Sequence, residues 1–410
     1  MKRTLFLIGA AGLVMAALTP KDRGQNGETY HIHSRESSGF PLADGISYYQ
    51  YQWGLENKGD FAAERIHGSG ARAGDLEERS RITVNNSEGG EAGAGQTLVR
   101  SAAGADIRME QAWAYYEQCS ERRQVTVAMI DTGIDINHPE LTGAIWINED
   151  EIPGDGIDND NNGYVDDRNG WNFYADTNQI FSGDEDGHGT HGAGTIAAAW
   201  DGQGVAGIAD GRYVKLMVLK VLGSQDGKGI SSGVKKAIRY AQDNGAQICN
   251  LSMGTLTYDR ELEAAMAASP MLFVVSAGNG DAAGRGYSID ELPMYPASFE
   301  ADNIISVGTL LFDGTMDVSS NYGNTGVDII APGISILSSV PGGYGYMSGT
   351  SMAAPMVTGT AALVYSCRTD LDLMGVKKAI MSSARPAEGA AGKTVTGGTL
   401  DAYGAITYGR

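Results

Sequence analysis

Apolar residues along this chain gather into compact runs, and from about residue 109 onward two kinds of run alternate. Residues 124–130, 214–222, 247–251, 272–276, 304–307 and 327–330 are short and contain β-branched residues. That pattern predicts buried strands. Between them, 109–116 and 232–241 carry helical spacing, and 356–365 is a run of small apolar residues that reads as a buried helix. Alternation of this kind predicts an α/β fold with a mainly parallel central sheet and helices on both faces. Residues 59–105 break the pattern. They are rich in Gly, Ala, Ser, Glu and Arg and predict a solvated or disordered insert.

The candidate chemistry sits where the runs end. Gly349-Thr-Ser-Met-Ala-Ala-Pro355 places Ser351 at the start of the buried helix, where free backbone N–H groups and the helix dipole favour negative charge. An acyl-transfer site needs that setting for its oxyanion, although an ordinary Ser cap on a core helix fits the same stretch. The strand 124–130 runs into Asp131-Thr-Gly-Ile-Asp135, which puts a carboxylate at its C-terminal end, the edge where open α/β sheets gather ligands. Gly187-His-Gly-Thr-His-Gly-Ala-Gly-Thr195 leads into 196–200 as a second closely packed helix with His188 at its start.

Asp131, His188 and Ser351, in this order and in these motifs, resemble the subtilisin-like serine proteases, the subtilases. The resemblance implies that Ser351 is the nucleophile, His188 the general base and then acid, and Asp131 the group that orients the imidazole. It also implies the three-layer subtilisin-like architecture. In Ser276-Ala-Gly-Asn-Gly280, Asn279 matches the side chain that joins the Ser351 N–H in the oxyanion hole, and Ala277 and Gly278 beside it match substrate-binding positions. Ser252, Met253 and Gly254 match one wall of the pocket for the residue before the scissile bond. Gly227 and Gly229 match an edge that pairs with extended peptide by strand addition. Residues 48–57 resemble the start of a mature subtilase domain, so 48–410 is expected to be the peptidase domain, interrupted by the 59–105 insert.

Lys2-Arg3 followed by the apolar run 4–18 predicts a secretory signal peptide over 1–18; the run is shorter than the ~20 apolar residues a spanning helix needs. Residues 19–47 then form a short pro-segment. A secreted monomeric endopeptidase acting on protein or peptide is expected, with no membrane association after signal removal. The formal net charge of −20 argues against nucleic acid and anionic membranes as partners. A transpeptidase or macrocyclase, a protease dedicated to one precursor peptide, and a binding protein on a dead protease fold are the alternatives. Intact Asp131, His188, Asn279 and Ser351 argue against the last of these.

Structural calcium is the expected cofactor, with no catalytic metal. Asp158, Asp160, Asn162, the Tyr164 carbonyl and Asp166 place oxygens at alternate positions, with Gly163 at the turn. Asn169 stands where an EF-hand would have Glu, which leaves a calcium-stabilised surface loop or a plain acidic turn. Glu140 and Asp201 match ligand positions of a second site through the family resemblance alone. His191 shares a helix face with His188, but the sequence lacks the His-Glu-x-x-His zinc signature, so His191 is expected to be a packed helix residue. Cys119, Cys249 and Cys367 permit one disulfide without indicating the pair, and Cys249 falls inside a strand as a buried thiol. Asp290 and Glu291 precede Tyr295-Pro296, where the family builds the pocket floor. Either carboxylate, facing the pocket, would favour a basic substrate residue; both facing solvent is the alternative.

Overall fold

The computed structural model describes residues 46–59, 96–223, 228–281 and 284–410, with strands at Gly12–Val14, Thr29–Ile32, Phe40–Pro41 and Ala62–Ile66. Its centre is a nine-stranded sheet. In chain order the strands are β1 (Val125–Asp131), β2 (Gly170–Asn172), β3 (Val214–Lys220), β4 (Ile248–Leu251) and β5 (Leu272–Ser276). They continue as β6 (Ile304–Leu310), β7 (Ile329–Pro332), β8 (Arg385–Pro386) and β9 (Gly398–Thr399). The spatial order is β8-β9-β7-β6-β5-β4-β1-β3-β2. All neighbours are parallel except β8 and β9.

The apolar runs are continuous because both sheet faces are covered. Successive side chains of a strand point to opposite faces, so Val127 and Met129 enter one core while Ala128 and Ile130 enter the other. The first core is closed by helices α1 (Met109–Tyr116), α2 (Gly187–Ala197), α5 (Thr350–Cys367), α6 (Leu373–Ser383) and α7 (Ala402–Ile406). The second is closed by α3 (Ser231–Asp243) and α4 (Arg260–Ala268). This is the three-layer α/β arrangement that the pattern predicts.

Helices α2 and α5 are interior. Every residue of α2 is buried, as is every residue of α5 except Tyr365. Their small residues permit close packing: a Cβ built on Gly359 of α5 would lie 3.4 Å from Ile196 Cα of α2, and one built on Gly194 of α2 would lie 2.2 Å from Ser339 Oγ in the strand Ile336–Val340. Helix α2 ends at Ala197, short of the expected 200, because Ala198 is extended (ψ 151°). Strand β7 occupies Ile329–Pro332 and not 327–330.

Part of the 59–105 segment is ordered by long-range pairing. Ala62–Ile66 lies between Thr29–Ile32 and Gln96–Arg100 in an antiparallel sheet. The chain then rejoins the body through Ala102 N–H to Phe312 O at 3.0 Å and Gly104 N–H to Asn57 O at 2.8 Å. Residues 67–95 lie outside the described residues. Cys119, just past α1, is disulfide-bonded to Cys367 at the end of α5, with a Cα–Cα separation of 5.8 Å. Cys249 is the buried free thiol that its strand position predicts. Among the described residues, no helix is long and apolar enough to cross a membrane.

Candidate active site

Strands β1, β3, β4 and β5 are adjacent and parallel, so their carboxyl ends share one edge. Asp131 ends β1 and is 2% exposed. Its Oδ1 accepts the Thr132 N–H at 2.7 Å and stands 2.7 Å from His188 Nδ1, in the first turn of α2. His188 Nε2 is buried and makes no hydrogen bond. The imidazole is thus held from one side and open on the other.

A buried ion pair braces this contact. Lys220 is paired with Asp131 across β3 and β1. Its ammonium donates to the Thr132 carbonyl and reaches Asp186 Oδ1 at 2.5 Å. Asp186 immediately precedes α2 and is fully buried. Burial pushes its carboxyl above the usual carboxylate range, and Lys220 partly offsets this. Lys220 therefore ties the loop after Asp131 to the start of the helix that carries His188.

Ser351 is the second residue of α5, entered through Gly349 at φ 137°. The first backbone N–H groups of a helix have no intrahelical acceptor. Four residues on, Pro355 has no N–H, so the Ser351 carbonyl loses its normal helical donor. Ser252 supplies the replacement: its Oγ donates to Ser351 O at 3.1 Å, while Ser351 Oγ donates to Ser252 O at 3.2 Å. Asn250 Nδ2 donates to Ser252 Oγ at 3.0 Å, and Thr358 Oγ1 donates to Asn250 Oδ1 at 2.8 Å. The relay joins the end of β4 to α5.

Asn279 lies three residues past β5. Its Oδ1 accepts from Thr350 N–H at 2.7 Å and Thr350 Oγ1 at 2.9 Å. Its donor end, Nδ2, passes beside Gly349, where an added Cβ would stand 3.0 Å away. Gly278 N–H donates to Thr350 Oγ1 at 3.1 Å, and Asn321 Nδ2 donates to Ala277 O at 3.0 Å. Ser252 and Met253 are buried. Gly229 falls in strand Lys228–Ile230, which pairs antiparallel with Gly12–Val14; Gly227 lies outside the described residues. Asp290 accepts Thr325 N–H and Gly326 N–H, and both Asp290 and Glu291 are exposed.

His191 is a packed helix residue, as expected. It is fully buried, its Nε2–H donates to Ile336 O at 2.8 Å, and desolvation lowers its pKa to about 4.

The acidic loop is assembled differently from the alternate-position pattern. Asp158 accepts the N–H groups of Asn162 and Gly163, Asp166 accepts those of Gly154 and Gly156, and Asn162 Oδ1 accepts that of Tyr164. Asp160 instead converges with buried Glu151 and Asp167, their oxygens within 4.8 Å of one another. Three carboxylates meeting at one point suit a hard cation such as calcium. At the second location, Glu140 is 4% exposed. Its Oε1 accepts from the Tyr344 hydroxyl at 2.7 Å, and Oε2 is buried without a partner. Desolvation pushes this carboxyl up to about 7, with the Tyr344 bond acting against the rise. An orphaned buried carboxylate oxygen fits a cation there, whereas Asp201 is exposed and accepts from Gln203 N–H at 2.9 Å.

Lys220, Asp186, Asn250 and Thr358 stand outside the motifs that mark the site in the sequence. Two signals were present: a lysine closing an apolar strand, and a proline inside a buried helix.

Comparison with known proteins agrees with this geometry. A family profile described as the subtilase family matches residues 122–405. The chain is similar to a thermophilic serine proteinase of Bacillus sp. (strain AK1), 34% identical over 286 residues, covering 69% of this chain and 61% of that protein. It is 39% identical over 263 residues to an intracellular serine protease of Paenibacillus polymyxa, covering 63% and 71%. It is 36% identical over 246 residues to Subtilisin Savinase of Lederbergia lenta, covering 58% and 76%.

Proposed function

The chain belongs to the subtilase family, and on that premise we propose that it is a secreted serine endopeptidase acting through an acyl-enzyme on Ser351. The carrying observation is the buried His188, bonded through Nδ1 to Asp131 at 2.7 Å with Nε2 unpartnered. Ser351 Oγ leaves the Ser252 carbonyl, gives its proton to His188 Nε2 and attacks the peptide carbonyl carbon. Asp131 holds Nδ1–H and stabilises the imidazolium. Catalytic hydrogen bonds are often loose without substrate, which accommodates the resting bond from Ser351 to Ser252. The oxyanion that forms is met by the Ser351 N–H and Asn279 Nδ2. His188 then protonates the leaving amine, and water attacks the acyl-enzyme with His188 again as base.

Extended substrate pairs with the Lys228–Ile230 edge. That edge already accepts an antiparallel segment, Gly12–Val14, which supports the reading. Calcium is structural: Glu151, Asp160 and Asp167 hold one ion and Glu140 contributes to a second. Export follows from the 1–18 segment and from the Cys119–Cys367 bond, since disulfides persist in oxidising compartments. Residues 19–47 are removed as a pro-segment, leaving a monomeric peptidase domain over 48–410.

Kinetics on a peptide substrate test the assignment. Ser351→Ala is expected to abolish turnover with an unchanged melting temperature, because the two side chains are nearly isosteric. Turnover within tenfold of wild type in that variant would refute the nucleophile. Thiol titration of the exported protein should find Cys249 alone; three free thiols would argue against an oxidising destination.

A further inference from the structure

We propose that Met294 fills the pocket for the substrate side chain preceding the scissile bond, so that the protein cleaves after Gly, Ala or Ser and excludes aromatic, branched and basic residues. This deepens the endopeptidase reading above and rests on it.

The pocket lies between two backbone walls, 252–254 after β4 and 277–279 after β5. These strands are neighbours in parallel register, Leu251 opposite Val275, so the walls run side by side. Each wall carries a glycine, Gly254 and Gly278, which would leave a side-chain-sized space between them. The Met294 thioether enters that space. A Cβ built on Gly254 would stand 2.9 Å from Met294 Sδ and 3.3 Å from its Cγ. A Cβ built on Gly278 would meet Asn321 Nδ2 first, at 2.5 Å, and then Met294 Cε at 3.3 Å. The side chain thus reaches from one glycine to the other, and only 8% of Met294 is exposed.

The backbone beneath it is clamped. Tyr295 exchanges both its N–H and its C=O with Thr255, the residue after Gly254, at 2.8 Å each. Met294 N–H donates to Ser298 Oγ at 3.2 Å, and Ser298 N–H returns to Met294 O at 2.8 Å. Withdrawal of Met294 by loop movement would break these bonds, so the space opens only by rotation within a buried cluster that includes Met253, Ala277 and Ile289. Asp290 is exposed and tied to Thr325 and Gly326, so selection by Met294 rests on size, which favours a small residue.

The test is kcat/KM on three peptides differing only in that residue, Ala, Phe or Arg, for wild type, Met294→Gly and Met294→Ala. Wild type is expected to prefer Ala. Each excess methylene in an apolar pocket is worth about 10- to 200-fold, so Met294→Gly should raise the Phe-to-Ala ratio at least about tenfold. Met294→Ala should raise it less, and it carries the test should the Gly variant misfold. Wild type cleaving Phe or Arg as well as Ala, or both variants keeping the wild-type ratio, overturns the proposal. A small fluorophosphonate reports the reactive serine without using this pocket. Labelling of Ser351 alongside an unexpected Ala, Phe and Arg ranking thus sinks the pocket assignment alone, whereas absent labelling sinks the endopeptidase reading.

Discussion

Asp131 offers His188 a carboxylate at 2.7 Å in a buried setting. An amide in its place could present its N–H to Nδ1 and stabilise the wrong tautomer. Asp131→Asn is therefore expected to lower kcat by about 10⁴ with little change in fold, measured by steady-state kinetics beside a thermal melt. Removing the Asn279 amide is a milder loss: Asn279→Ala should reduce kcat by about 10²–10³ and leave KM nearly unchanged, since the bond forms to the developing oxyanion. A rise in KM with kcat intact would instead make Asn279 a substrate-binding group. Asp131, His188, Asn279 and Ser351 were legible because each sits in a glycine-bearing motif at the end of an apolar run. Met294 was not. Nothing local marks a methionine as facing two glycines about 40 and 16 residues upstream, since that proximity comes from strand order.

Among the secondary-structure elements, the geometry of the candidate site depends on joints between strands and helices. Lys220 joins β3 to the start of α2 through Asp186, with both groups buried. Lys220→Met leaves Asp186 without its cation and is expected to cost about 3–5 kcal/mol of stability, read from denaturant unfolding. Adding Asp186→Leu should recover part of that loss; additive losses would show that the pair is not coupled. The Cys119–Cys367 bond ties the end of α1 to the helix that carries Ser351. Reduction should lower stability by about 2–5 kcal/mol, seen as a lower melting temperature in reductant. The long runs in β1, β3, β5 and α5 were readable from the sequence because burial of nearly every position makes them predominantly apolar. The two-residue strands β8 and β9 and the pairing of Ala62–Ile66 with Gln96–Arg100 were not. Such short pairings are created by the partner and leave little pattern in either segment.

The whole molecule carries a net charge of −20, and three of its carboxylates meet at buried Glu151, half-buried Asp160 and buried Asp167. A cation bound only by the folded chain stabilises it by mass action, about 2.7 kcal/mol at a concentration 100 times Kd. Excess EDTA should therefore lower the melting temperature and calcium restore it, and Glu151→Gln should shrink the difference. An unchanged melting temperature in EDTA would remove both ions from the account. The proposed chemistry rests on a reactive serine at the start of α5. Incubation with a fluorophosphonate, followed by proteolytic mapping in a mass spectrometer, tests it most directly. A single adduct on Ser351, lost in His188→Ala, is the predicted result; an adduct on another residue, or none, would contradict it.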